Sequence, residues 1–119
     1  MLPVSGPFHS ALMKPAAGVM ADALAKVTVR PPAVSLVSNV LARPTRDPAE
    51  IVQGLIDQVT GTVRWRESVA FMAHAGVTSF YEVGSGRVLS ALVQRIAKGA
   101  RGLAIGAPDD VAAFRAMAN

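Results

Sequence analysis

The chain has no cysteine among its 119 residues. That absence excludes a disulfide framework, a thiol nucleophile and a thiolate metal site, and it is compatible with the cytoplasm. Histidine is nearly as scarce. Only His9 and His74 are present, so no zinc site is expected. Aromatic residues make up 5% of the chain, and its 12 basic residues are spread along it rather than gathered into a stripe interleaved with aromatics, which argues against nucleic acid as a partner. No apolar run approaches the ~20 residues of a membrane-spanning helix, and the first residues lack the charged-then-apolar layout of a signal peptide. A soluble, cytoplasmic protein is therefore expected. The 8 acidic residues leave a formal charge of +4. Scattered positive charge reads either as a solvated face or as attraction to an anionic partner, such as a phosphate-bearing ligand or an acidic protein. The glycine-x-serine-x-glycine pattern of a nucleophile elbow occurs nowhere.

About half of the chain is apolar, and its length suits one modest domain or a piece of a larger one. Gly6 and Pro7 break any strand running through Leu2 to Val4, Ser10 offers an N-cap, and Pro15 is tolerated only in a first helical turn. A helix is thus predicted to begin just after His9, its apolar face running from Leu12 through Val19 and Met20 to Val27. Arg30-Pro31-Pro32 stops it, and Val34 to Val37 reads as a short, apolar, buried strand. Ala42 to Pro48 reads as a polar loop. Pro48 opens a second helix through about Val59, capped by Asp47, and a third spans Trp65 to Ala75 with Gly76 closing it. Thr78 to Val83 and Gly102 to Gly106 read as strands. A helix carrying Val88, Leu92, Val93 and Ile96 lies between them, and another starts at Pro108. Strands alternating with helices predict an α/β layer of three short parallel strands. Leu2 to Val4 reads as a strand end without its beginning, so a fragment is expected.

Among chemistry-bearing residues, His9 stands out because it sits in a tight apolar turn at a helix N-terminus. The helix dipole there favours the neutral imidazole, which can accept a proton from a nucleophile. The alternative is that His9 merely caps or packs under the turn. Gly84-Ser85-Gly86 resembles a phosphate-cradling turn but lacks the lysine-serine pair of a P-loop and the third glycine of a dinucleotide fingerprint. Trp65, between Arg64 and Arg66, could grip an anion or serve as a rim aromatic. His74, late in its helix, reads as structural. Gln58 lies at a helix end, where carbonyl groups lack intrahelical partners.

The segments LPVSGPFHSALMKPAA, VSNV at Val37 to Val40, the tract from Gln58 through Val63 to Trp65, and FYEVGSGRVLSALVQRI occur in that order. Together they resemble the C-terminal part of the malonyl-CoA:acyl-carrier-protein transacylase family. The resemblance implies an α/β fold, with residues 5–119 forming the C-terminal part of an α/β-hydrolase-like large subdomain and residues 1–4 the end of a small ferredoxin-like one. It implies malonyl transfer from malonyl-CoA to the phosphopantetheine thiol of acyl carrier protein, in fatty-acid biosynthesis, with no cofactor bound by this chain. His9 matches the family's catalytic histidine. Gln58 matches the residue whose main-chain carbonyl holds the second imidazole nitrogen, and Phe8 matches a bulky acyl-pocket residue. Ser85 departs from the family's usual proline.

The family's serine elbow, its oxyanion-hole donors and the arginine that pairs with the malonyl carboxylate all precede the His9 segment, and none is present. The isolated chain is therefore expected to be inactive and to expose apolar surface. Expected partners are malonyl-CoA, acyl carrier protein and the missing N-terminal part of the same enzyme. Two alternatives stand beside this: a non-catalytic carrier-binding module, and one half of a split acyltransferase.

Overall fold

The computed structural model describes residues 6–118, so the expected strand end at Leu2 to Val4 lies outside the described residues. The chain divides into two compact units, Met1–Ser68 and Val69–Asn119.

In the first unit a 3-10 turn, Ala11–Met13, leads into helix α1, Lys14–Leu24, with Pro15 in its first turn. Helical structure thus starts where predicted, but as a tighter turn, and Ser10 does not cap it with its side chain. Helix α1 also stops short of Val27. Val27-Thr28-Val29 is a run of β-branched residues with restricted side-chain rotamers, and it disfavours further helix. Helix α2, Pro48–Gln58, begins as its sequence dictates: Asp47 caps it by accepting the Ala49 N–H at 2.9 Å, and Pro48 supplies the preset backbone angle of the first position. Helices α1 and α2 pack on each other.

The expected buried parallel strand at Val34 to Val37 is corrected. Only Leu36–Val37 is extended (β1), and it pairs antiparallel with Pro44–Thr45 (β2), inside the segment read as a loop. Val34 and Leu36 are exposed. The pairing depends on a reversal at Ser38 to Ala42, where the Ala42 N–H donates to the Ser38 carbonyl and Ala42 takes a left-handed φ of 51°. Nothing in local periodicity announces such a residue, since alanine rarely adopts that conformation.

Helix α3 spans Trp65–His74. It ends as a Schellman motif: Gly76 has φ 99°, its N–H donates to Ala73, and the Val77 N–H donates to Met72. The second unit then builds one parallel βα unit, with β3 at Ser79–Val83, helix α4 at Val88–Ile96 and β4 at Arg101–Ile105, Ser79 in register with Arg101. Helix α5, Pro108–Ala118, packs on β4. Among the described residues the parallel sheet therefore has two strands, not the three expected. The α4 backbone lies so close to β4 that a Cβ on Gly102 would stand 2.2 Å from the Ser90 carbonyl oxygen. Buried apolar side chains among the described residues are few, Val69 and Val93 being the most enclosed, whereas Leu12 and Val83 are 77% and 79% exposed.

Gly102→Ala should lower stability by about 1–3 kcal/mol through overpacking against backbone, whereas Gly18→Ala, on an open face of α1, should raise it by about 0.4–1 kcal/mol; urea midpoints separate the two. Glu50 accepts from both ends of the Arg43 guanidinium, at 2.7 and 3.2 Å, and from the Thr45 hydroxyl, and these bonds pull its pKa down to about 2. A carboxylate depressed in the folded state stabilises above its unfolded pKa of ~4.3, and that contribution is lost as pH falls toward the folded value. Glu50→Gln should therefore flatten the acid limb of the stability profile between about pH 5 and pH 2.

Candidate active site

The site lies within the first unit. His9 occupies a left-handed backbone conformation, φ 58°, uncommon for a residue with a side chain and costing of order 1–3 kcal/mol. The turn around it supplies the compensation. The Ser10 hydroxyl reaches back over His9 to donate to the Pro7 carbonyl at 2.6 Å, and the Ser10 carbonyl receives the Met13 N–H at 3.0 Å. The Ser10 side chain expected to cap the helix is used instead to close the turn that presents His9.

Opposite stands the end of α2. Carbonyl groups of a last helical turn have no intrahelical donor. Here the Asp57 carbonyl takes the Thr60 and Gly61 N–H groups and the Ile56 carbonyl takes that of Val59. The Gln58 carbonyl is left for His9, whose Nδ1 lies 2.7 Å from it. A carbonyl oxygen only accepts, so Nδ1 carries the proton in this bond and the neutral ring keeps its lone pair on Nε2. The arrangement produces an oriented proton acceptor without any carboxylate.

Phe8 and His9 open onto one cavity of about 260 Å³, walled further by Met13, Met20, Leu55 and Val59. Phe8 is 59% exposed. The three residues singled out from sequence, Phe8, His9 and Gln58, are thus brought together. Asn39 was not singled out, yet its side-chain amide donates to the Gln58 Oε1 at 3.2 Å. Its only signal was its place in the VSNV segment at the end of β1.

The remaining candidates separate. The α4 N-terminus is already occupied by a carboxylate of the chain itself: Glu82 on β3 accepts the Leu89 and Ser90 N–H groups at 3.2 and 2.8 Å, chiefly the latter lowering its pKa. A phosphate at Gly84-Ser85-Gly86 would have to displace it, so that reading is withdrawn. The Arg64 guanidinium pairs with Glu67 and donates to the Leu41 carbonyl, which removes it from any anion grip beside Trp65. His74 is exposed at its helix end. Among the described residues no group of three or more histidine, aspartate and glutamate side chains could hold a metal ion, and no helix is long and apolar enough to cross a membrane.

No protein-family model matches the chain. Individual proteins do. The malonyl CoA-acyl carrier protein transacylase of Salmonella typhimurium is 48% identical over 95 residues, covering 80% of this chain and 31% of its own length. That of Escherichia coli K12 is 43% identical over 112 residues, covering 94% of this chain and 36% of its own. The crystal structure of acyl-carrier-protein-S-malonyltransferase from Bartonella henselae superimposes with a TM-score of 0.87 at 46% identity, over 99% of this chain and 38% of that one. The chain belongs to the malonyl-CoA:acyl-carrier-protein transacylase family. It spans about a third of the length of the transacylases it matches, and its α/β architecture is that of the transacylase structures.

The His9 geometry makes a direct spectroscopic prediction. Long-range nitrogen-proton correlation should show His9 held as the Nδ1-protonated tautomer at high pH, with exposed His74 as the internal reference; an Nε2-protonated His9 would contradict the observed bond.

Proposed function

We propose that this chain is the base-bearing share of an acyltransferase that moves malonyl from malonyl-CoA to the phosphopantetheine thiol of acyl carrier protein. It would correspond to the C-terminal part of the α/β-hydrolase-like large subdomain, acting in the cytoplasm. The observation that carries the reading is the 2.7 Å contact between His9 Nδ1 and the Gln58 carbonyl, formed by residues 49 positions apart in a chain so similar to known transacylases.

His9 serves as general base. Its Nε2 takes the proton of a serine hydroxyl as that oxygen attacks the thioester carbonyl, and the imidazolium returns the proton to the departing coenzyme A sulfur. In the second half-reaction Nε2 takes the proton of the incoming carrier thiol, and the serine oxygen leaves protonated. The Gln58 carbonyl fixes the tautomer through both halves. Being neutral, it stabilises the imidazolium less than a carboxylate would. Exchange between activated acyl esters demands less of the base than amide cleavage does, which suits this weaker partner. Phe8, beside His9 on the cavity wall, is proposed to narrow the acyl pocket in favour of malonyl.

The serine is not in this chain, since no glycine-x-serine-x-glycine elbow is present. A polypeptide carrying that elbow must supply it, and the exposed apolar side chains of α1 support such an arrangement. Intact mass after incubation of the chain alone with malonyl-CoA should show no covalent adduct. Combination with the elbow-bearing part of a transacylase should restore transfer, and His9→Ala should reduce it by roughly 10²–10⁴-fold, the usual weight of a general base. A malonyl adduct on the chain alone would contradict the assignment. Salt-sensitive carrier binding that survives His9→Ala, with no transfer in the recombined enzyme, would favour a binding module.

A further inference from the structure

The Gln58 carbonyl is a useful partner for His9 only if the last turn of α2 does not fray, and helix ends ordinarily do. The structure pins that turn from the side. Gly54 and Gln58 lie one helical turn apart, on one face of α2. Against this face sits the turn after β1. Ser38 is buried and lies so near Gly54 that a Cβ there would be 3.1 Å from the Ser38 Oγ. Asn39, the next residue, donates its side-chain amide to Gln58 Oε1 at 3.2 Å.

Asn39 is itself held. The Ser38 hydroxyl accepts the Val40 N–H, the Ser38 carbonyl accepts the Ala42 N–H, and the Asn39 carbonyl accepts the Arg64 N–H at 2.7 Å. Gln58 is thus grasped twice, by its side chain from Asn39 and by its main chain from His9.

We propose that Asn39 is a positioning residue of this site, fixing Gln58 so that its main-chain carbonyl holds His9 in the Nδ1-protonated tautomer. The proposal rests on the general-base reading of His9 and adds the element that keeps the base in register. A side-chain pair of this kind is sensitive to donor chemistry in a specific way. Asn39→Leu keeps the approximate shape and removes the donor. Asn39→Asp removes the donor but leaves an acceptor, to which the Gln58 amide can donate after rotating by half a turn.

The test reads His9 by long-range nitrogen-proton correlation in the chain and its variants, with the backbone amide spectrum as a check of fold. Asn39→Leu should erase the tautomer preference, moving the two His9 ring-nitrogen shifts toward those of exposed His74, while Asn39→Asp should restore them. Gln58→Leu, which keeps the carbonyl and loses the side-chain acceptor, should match Asn39→Leu, and it decides the matter should Asn39→Leu fail to fold. An unchanged His9 tautomer in a folded Asn39→Leu or Gln58→Leu chain overturns the role of Asn39 and leaves the base assignment standing. A wild-type His9 without the Nδ1 proton overturns both.

Discussion

One hydrogen bond organises the first unit of this chain: His9 Nδ1 to the carbonyl of Gln58. Forming it requires α1 and α2 to pack so that the start of one meets the end of the other. It also requires a histidine in a left-handed conformation and a helix end whose last carbonyl is free. Each condition carries a local penalty, and each is met by a named contact, the Ser10 hydroxyl on Pro7 in the first case and the Asp57 carbonyl absorbing two N–H groups in the second. Strain concentrated where a side chain must be aimed is what a functional constellation looks like in an otherwise ordinary fold.

The chemistry this permits is moderate. A neutral carbonyl orients an imidazole and selects its tautomer, yet offers a developing imidazolium only a dipole. That matches a reaction between esters of similar reactivity better than one that must expel an amine. The cavity beside the ring has Phe8 and two methionines, Met13 and Met20, on its wall.

Local rules were legible in the sequence. Asp47-Pro48 announced the start of α2, Gly76 the end of α3, and the alternation of apolar runs the β3–α4–β4 unit, because each is decided by residues within a turn of one another. The β1–β2 pairing was not legible, since it depends on a left-handed alanine and on a partner that contains a proline. For the same reason Asn39 escaped notice: its role comes from a contact across 19 positions, and side-chain amides carry no periodic signature. His9 and Gln58 were found in the sequence through the family resemblance, and His9 also through the turn it occupies. Their meeting across 49 positions is a property of packing that no local pattern encodes. The second unit shows the same limit: Glu82 resembles any strand residue until α4 places two N–H groups on it.

The central claim is that His9 is a base oriented by a main-chain carbonyl. Scalar coupling through the hydrogen bond, between the His9 Nδ1 nitrogen and the Gln58 carbonyl carbon, tests it most directly in uniformly labelled protein. A resolved correlation between those two nuclei is the predicted result. Its absence under conditions where other hydrogen-bonded pairs of the first unit, such as Arg64 to Asn39, give theirs would contradict the account.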